Sequence, residues 1–146
     1  MYLKVEVKIY EEIKEPYVII YTNSITSEIQ KIISTLEEGI NIITVHDGDK
    51  ILILQKEEIY MVRIEMSEVV VHCKDKKYKS KKRLYEIGEQ LGSGFIQISK
   101  SAFVNSKEIQ CVEPYFNGMM SLKLKNGTSE YISRKYLPEF KKYLGI

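Results

Sequence analysis

The chain has 146 residues, of which 44% are hydrophobic and 29% charged, enough for one domain with a workable core. Its start is charged and no apolar run approaches the roughly 18 residues that a membrane-spanning helix needs. We therefore expect neither a targeting peptide nor a membrane-spanning helix, and we expect a soluble cytoplasmic protein. The two cysteines, Cys73 and Cys111, form no CxxC pair and predict no disulfide framework, so we interpret both as core thiols.

The first part of the chain, residues 1–41, is predicted to form a small ββα unit. Residues 4–10 alternate between apolar and charged side chains, as in a half-buried strand, and residues 17–21 are a short apolar run. Residues 22–24 offer a helix cap, and isoleucines then keep helical spacing up to Gly39. So small a unit is marginal alone, so we expect it to pack on the rest of the chain or on a second copy.

The second part, residues 42–146, is predicted as a mainly β domain with short helices, α+β overall. Asn-Gly pairs at Asn117-Gly118 and Asn126-Gly127 separate apolar runs, which is the strongest short hairpin signal. Helical spacing is confined to 84–91 and to the last residues from Leu137. We expect strands at 42–46, 50–55, 59–65, 69–74, 95–98, 102–105, 109–116, 119–125 and 128–133.

Charge is divided unevenly between the two parts. Residues 1–42 carry four Lys and seven Glu, a net −3, whereas residues 43–146 carry eighteen Lys plus Arg and thirteen acids, a net +5. The densest stretch, residues 74–83, holds seven cations and one acid. Such a cluster favours a polyphosphate partner through counterion release, although a solvated hairpin carries similar charge.

The residues give little support to an enzyme. Only His46 and His72 are present, and His72 and Cys73 are neighbours that would point to opposite faces of a strand. Pairing of His72 with Cys111 in space stays open, but nothing supplies a third orienting group. There is no P-loop, GxGxxG, GxSxG or metal-spaced His/Cys motif. We therefore expect no catalysis, no cofactor, no metal and no small-molecule substrate.

Several elements between residues 95 and 136 match one pattern in order and spacing: Phe95, the segment 98–101, Phe103-Val104-Asn105, Ile109, Asn126-Gly127 and the segment 133–136. With these elements the region resembles the LytTR DNA-binding domain of bacterial transcription regulators, and the likeness extends upstream to about Ile42. The resemblance implies an elongated stack of small antiparallel sheets whose loops enter successive major grooves, and a function in sequence-specific binding of double-stranded DNA.

The resemblance also implies which residues contact DNA. Lys100, Lys135 and Arg134 match base-reading positions. Ser99 departs from the histidine often found at its position. A third contact, the loop 66–68, is tighter than is common in the family, and Glu68 suits a phosphate poorly. Backbone contacts are expected from Ser99, Ser101, Ser133, Lys79, Lys81 and Lys82. Asn105 also matches the family, but we interpret it as a turn or backbone-binding residue.

Partners follow from the same resemblance. We expect a homodimer on double-stranded DNA, because one small domain makes few base contacts. Regulators that this chain resembles often carry a receiver domain before the DNA-binding unit, and we expect none in a chain of this length. Residues 1–41 are instead expected to supply dimerisation or docking to a controlling membrane protein encoded nearby. Two alternatives stay open: an RNA or single-strand binder, which eleven tyrosines favour, and a protein-interaction module with a basic surface.

Overall fold

The computed structural model describes residues 2–38 and 42–146 of the chain. Within them are three α-helices: α1 Ser27–Glu38, α2 Leu84–Leu91 and α3 Leu137–Leu144. The described strands are β1 Ile42–Asp47, β2 Lys50–Gln55, β3 Met61–Glu65, β4 Glu68–His72, β5 Lys77–Ser80, β6 Phe95–Ser99, β7 Ala102–Asn105, β8 Ile109–Pro114, β9 Met120–Leu124 and β10 Ser129–Ile132.

The strands form two antiparallel sheets. The larger has the order β2-β1-β5-β4-β3-β7-β6, and the smaller has the order β10-β9-β8. The predicted mainly β fold with short helices is confirmed. Strand β5, which lies between β1 and β4, was predicted only as part of a basic hairpin, because its alternating lysines carry no apolar signal.

The Asn-Gly turns place the small sheet. At the β9–β10 turn Gly127 has φ 89° and its N–H donates to the carbonyl of Leu124 at 2.9 Å. The Asn126 side chain reaches the other sheet, donating from Nδ2 to the carbonyl of Cys73 at 2.9 Å. This predicted turn therefore both reverses the chain and ties the two sheets together.

The large sheet has an apolar core on each face. Consecutive residues of a strand point to opposite faces, and on β3 Met61 belongs to one core while Val62 belongs to the other. Helix α2 covers the Val62 face; the small sheet and Phe140 of α3 cover the Met61 face. Gly88 lets α2 approach closely, because a Cβ there would lie only 2.5 Å from Cζ of Phe103.

The N-terminal unit differs from its prediction. The helix is present as α1, and its cap is Thr26, whose Oγ1 accepts a hydrogen bond from Ile29 N–H at 3.2 Å, rather than a residue of 22–24. The two predicted strands are wrong for the single chain, since residues 2–26 contain no strand. An isolated two-stranded hairpin is marginal in water, which explains why the pattern alone is insufficient.

Parts of that prediction lie beyond what the structure describes. The expected helix end at Gly39 and the boundary between residues 41 and 42 fall outside the described residues. The division into units 1–41 and 42–146 therefore stays a prediction. None of the described helices is long and apolar enough to cross a membrane.

The cysteines divide between two environments. Cys73 is half-buried, and burial, with a smaller contribution from Glu58, raises the pKa of its thiol to about 11. Cys111 is exposed, so its interpretation as a core thiol is wrong. The register of β8 shifts between Ile109 and Cys111, and this bulge places Val112, rather than Cys111, on the same face as Ile109 against the core.

Candidate nucleic-acid interface

Two turns of the large sheet lie side by side at one end of the molecule. The β3–β4 turn is made by Met66 and Ser67, and the β6–β7 turn by Lys100 and Ser101. The N–H of Ile64 donates to the carbonyl of Ser101 at 2.9 Å. This backbone hydrogen bond fixes the two turns as neighbours.

The end of β10 joins the same place. The N–H of Ser133 donates to the carbonyl of Ile98 at 3.0 Å, which sets the segment 133–135 beside the β6–β7 turn. Arg134 then lies against the β8–β9 turn, where a Cβ at Gly118 would be 3.2 Å from Arg134 Cδ. Gly118 has φ 72° and leaves the space that the arginine stem fills.

The basic strand β5 ends near the same turns. Ser80 pairs with Val69 at the start of β4, so Lys81 and Lys82 follow at the level of the Met66–Ser67 turn. We call this assembly the turn end. Its residues are Met66, Ser67, Lys81, Lys82, Ser99, Lys100, Ser101, Asn117, Gly118, Ser133, Arg134 and Lys135.

The structure thus brings together eight of the nine residues predicted to contact DNA, and the ninth, Lys79, adjoins them on β5. Lys100, Lys135, Arg134, Lys81 and Lys82 are exposed, and within residues 2–38 and 42–146 none of the five forms an ion pair. These cations are therefore available to an anionic partner. Which of them contact bases stays a prediction.

Lys79 differs from the other cations because it already has a partner. Its Nζ lies 2.8 Å from Oε2 of Glu68, and both side chains are exposed. The pair neutralises the acid that was expected to repel a phosphate at the third contact. The predicted tight loop there is a two-residue turn, with φ of 49° at Met66 and 67° at Ser67.

The serines hold the β6–β7 turn in shape. The N–H of Ser101 donates to Oγ of Ser99 at 3.1 Å, and the two hydroxyls lie 3.2 Å apart. Ser133 Oγ points to the carbonyl of Ile98 at 3.5 Å. Each hydroxyl is therefore engaged inside the protein, and any contact with a DNA phosphate must share it.

Asn105 lies away from the turns and is 5% exposed. Its Nδ2 donates to the carbonyl of Ile59 at 2.9 Å, and its Oδ1 accepts from Lys107 N–H at 3.1 Å. The side chain has both its polar atoms satisfied by backbone. This geometry supports the interpretation of Asn105 as a structural residue.

An ion cluster that the sequence did not predict joins β3, β4 and β5 to the small sheet. Glu65 accepts from Arg63 Nε at 2.9 Å, from His72 Nε2 and, at 3.4 Å, from Lys77 Nζ, while Arg63 Nη1 donates to Glu130 of the small sheet at 2.9 Å. Arg63 and Glu65 share a face of β3, and that i,i+2 spacing of opposite charges was the available signal.

The pKa values of the cluster follow from its contacts. Burial raises the pKa of Glu65, but hydrogen bonds from Arg63 and His72 outweigh it and bring that pKa down to about 2. Burial lowers the pKa of His72 despite the opposing effect of Glu65, so a neutral imidazole donates to a carboxylate. The cluster is a fixed tie between the sheets rather than an acid–base pair poised near neutral pH.

Comparisons with known proteins identify the family. The LytTr DNA-binding domain family matches residues 49–145. The sensory transduction protein LytT of Enterococcus faecalis is 31% identical over 105 residues, 71% of this chain, and the chain spans 43% of LytT's length. An uncharacterized HTH-type transcriptional regulator of Staphylococcus aureus (strain NCTC 8325) is 31% identical over 137 residues, 90% of this chain and 91% of that protein.

A solved structure gives the same answer for the fold. A LytTr DNA-binding domain from Bacillus cereus superposes with a TM-score of 0.69 and 22% identity, covering 74% of this chain and all of that one. Both the match of the family along residues 49–145 and the shared fold agree with the resemblance carried by residues 95–136. The chain belongs to the LytTR family of DNA-binding domains.

Proposed function

We propose that the chain is a bacterial transcriptional regulator that binds specific double-stranded DNA through the turn end, with its loops in successive major grooves. The observation that carries the proposal is that the β6–β7 turn, the segment 133–135 and the end of β5 present five exposed cations without an ion-pair partner at one end of the described chain. Cations fixed to rigid turns suit both phosphate contact and base reading.

The roles proposed for these cations differ with their chemistry. Arg134, held by contact with Gly118, can donate two hydrogen bonds to O6 and N7 of a guanine, and Lys100 and Lys135 can donate to the same atoms. Lys81 and Lys82 follow a strand and are suited to phosphates. Lys79 serves the phosphates less well while it is paired with Glu68.

Turns, rather than a recognition helix, make the proposed contact. The described helices are each separated in sequence by strands, so no two of them form a helix–turn–helix pair. Helix α2 buries Leu84, Ile87 and Leu91 in the core, and α3 buries Phe140. The exposed cations on the turns are therefore better placed than either helix to enter a groove.

The proposal is tested by fluorescence anisotropy of the purified chain on a labelled duplex from upstream of its own coding region, against a scrambled duplex, at two salt concentrations. We expect tighter, salt-sensitive binding to the native duplex. Equal binding to both would reduce the function to a basic surface, and no binding would favour a protein-interaction module.

Three substitutions separate the roles. Lys135→Ala or Lys100→Ala is expected to weaken specific binding by about 1–3 kcal/mol and relax preference at one base pair, whereas Lys81→Ala weakens all duplexes alike and lowers the salt slope by about one. Lys107→Ala, at an exposed position away from both the turn end and the N-terminal segment, is the matched control and leaves binding unchanged. Equal behaviour of the three variants would contradict the division of roles.

A homodimer acting in the cytoplasm completes the proposal. One turn end reads a short stretch of DNA, and two copies on repeated half-sites multiply the discrimination. The apolar side chains of residues 2–21 are largely exposed in the single chain, which supports a role for this segment in binding a second copy or a controlling membrane protein. Sedimentation of the full chain measures the first, and co-purification with a membrane protein encoded nearby measures the second.

Single-stranded nucleic acid is a second candidate because of one aromatic cluster. The Tyr115 ring lies 4.5 Å from that of Phe116 and 4.6 Å from that of Tyr131, and all three side chains are exposed. The neighbouring Gly118 contacts Arg134, so the cluster adjoins the turn end. Stacked bases suit such a surface. Competition by a single-stranded oligonucleotide at least as effective as by the duplex would favour this candidate.

A further inference from the structure

The N-terminal segment, residues 2–26, exposes a strand-like apolar pattern. Val5, Val7 and Ile9 are 77%, 82% and 89% exposed, although they alternate with charged residues as the half-buried strands of the rest of the chain do. Single exposed apolar residues are ordinary, but a contiguous row indicates a surface that a partner covers.

The charges between these residues select the partner and its register. In an antiparallel pair of two identical segments with Val7 opposite Val7, Val5 lies opposite Ile9, and Glu6 lies opposite Lys8. Each of the last two pairings occurs twice by symmetry. One face of the pair is then wholly β-branched, and the other carries two pairs of opposite charge, which stabilise neighbouring strands.

Other registers of this pairing bring like charges together or match fewer of the β-branched residues with one another. Centring the pair on Glu6 places Glu6 opposite Glu6 and Lys4 opposite Lys8, and a parallel in-register pair places every charge opposite itself. Centring on Val5 keeps opposite charges, Lys4 with Glu6, but pairs Val7 with Leu3 and leaves Ile9 without a β-branched partner. The register about Val7 is the one that matches all three β-branched residues and both charges.

We propose that two copies of the chain associate through their N-terminal segments, paired as antiparallel strands about a twofold axis at Val7. This interface rests on the homodimer of the proposed function and names its surface. A twofold contact is self-complementary, so it closes at two copies and does not extend into a fibre.

A second run supplies the strands that a stable sheet needs. The chain turns back after the first run, where Ile13 N–H donates to the carbonyl of Tyr10 at 3.2 Å. Residues 17–21 follow, with Tyr17, Val18, Ile19 and Tyr21 exposed. Each copy can add this run at the outer edge of its own strand, giving four strands. A ribbon of two strands is marginal, and three or more with an apolar face are stable.

The charge pairs give the first test, sedimentation of the full-length chain. Wild type is expected to be a dimer; Glu6→Lys or Lys8→Glu raises the dimer dissociation constant roughly tenfold or more, and the double variant restores it. Glu12→Lys makes the same charge change outside the paired row and leaves the dimer unchanged. Dimers that persist in both single variants, or a double variant that stays dissociated, would overturn the pairing.

Cysteine crosslinking gives the second test, in a background with Cys73 and Cys111 replaced by serine. Only position 7 faces itself, so Val7→Cys is expected to form a disulfide-linked dimer on mild oxidation, because opposed Cβ atoms lie about 4.5–5.5 Å apart. Val5→Cys and Ile9→Cys crosslink only when mixed with each other. Crosslinking of Val5→Cys to itself would show another register and overturn the proposal.

These outcomes separate the two proposals. A wild-type chain that is monomeric throughout overturns both the interface and the homodimer. A dimer indifferent to Glu6→Lys and to cysteine position overturns the interface alone. Anisotropy of the Glu6→Lys variant on a short duplex tests the turn end separately, since the substitution leaves every cation of that end in place.

Discussion

Two runs of this chain alternate between apolar and charged residues, but the apolar side chains are buried in one run and exposed in the other. In β9, Leu122 and Leu124 alternate with lysines and are 2% and 0% exposed, whereas Val7 and Ile9 alternate with charges and remain 82% and 89% exposed. The difference lies in what each run meets. β9 has a strand on both sides and the large sheet beneath it, while the N-terminal segment pairs with no strand of its own chain within the described residues. Alternation therefore specifies a face, and a partner decides whether a strand forms.

The largest expected difference in stability between the two regions comes from truncating one isoleucine to alanine in each of them. Ile43 is 1% exposed in the core under α2, and Ile9 is 89% exposed. Ile43→Ala is expected to lower the free energy of unfolding by about 2–5 kcal/mol, because it opens a cavity. Ile9→Ala should change it by less than about 0.5 kcal/mol.

Both truncations are made in the Glu6→Lys background, which removes any contribution from the proposed pairing, and are measured by urea denaturation. Similar losses for the two variants would show that the N-terminal segment packs on its own chain. That result would contradict the contrast between the two regions.

Asn105, a buried polar residue, tests how much the stability of the packed region depends on side-chain hydrogen bonds to buried backbone groups. Asn105→Ala leaves the carbonyl of Ile59 without its donor, and we expect a loss of about 1–3 kcal/mol in the free energy of unfolding. Asn23→Ala, at an exposed position of the N-terminal segment, is the control and should have little effect. If the folded Asn105→Ala variant bound DNA with reduced specificity at unchanged stability, the structural interpretation of Asn105 would be wrong.

The ion cluster around Glu65 predicts that the free energy of unfolding of the packed region depends on pH. Glu65 has its pKa lowered from 4.5 to about 2, so its contribution to stability is present above about pH 4.5 and is lost as the pH falls towards 2. Because the side chain is 24% exposed, we discount the contribution to roughly 1–2 kcal/mol. Unfolding of wild type and Glu65→Gln across this range should show a difference that vanishes at the acidic end; a constant difference would contradict it.

The smallest effect concerns the β3–β4 turn. Ser67 has φ 67°, a conformation that glycine adopts without strain, so Ser67→Gly is expected to raise the free energy of unfolding by about 0.5–1 kcal/mol. Ser24→Gly, in the N-terminal segment, lacks this positive φ and should bring no gain. Thermal unfolding measures both variants, and equal effects would show that the turn is not held by its strands.

Local patterns predicted much of this fold, and non-local contacts account for the rest. The Asn-Gly turns and period-two runs placed β9, β10 and the hairpins of the large sheet within one or two residues. The position of β5 between β1 and β4 depends on pairing far along the chain, which its lysines do not signal. The tie from Arg63 to Glu130 likewise joins residues that are distant in sequence.

The candidate site shows the same limit. The family resemblance predicted which cations contact DNA, and the pairing of the strands then showed that these cations lie at one end of the molecule. No local sequence pattern could show that Arg134 lies against Gly118. The interpretation of Cys111 as a core thiol is wrong because it rests only on the usual burial of free cysteines. The bulge in β8 that turns this side chain outward has no signal in the local sequence.

That unequal pair of thiols makes the chain a ready substrate for site-selective labelling. Cys111 is exposed, whereas Cys73 is half-buried with a pKa of about 11, so at neutral pH very little of it is the thiolate that reacts. A maleimide dye should therefore attach first to Cys111 on the small sheet. The protein can thus carry a fluorophore on Cys111, outside the turn end. The motion of the labelled protein on DNA can then be followed without engineering a new cysteine.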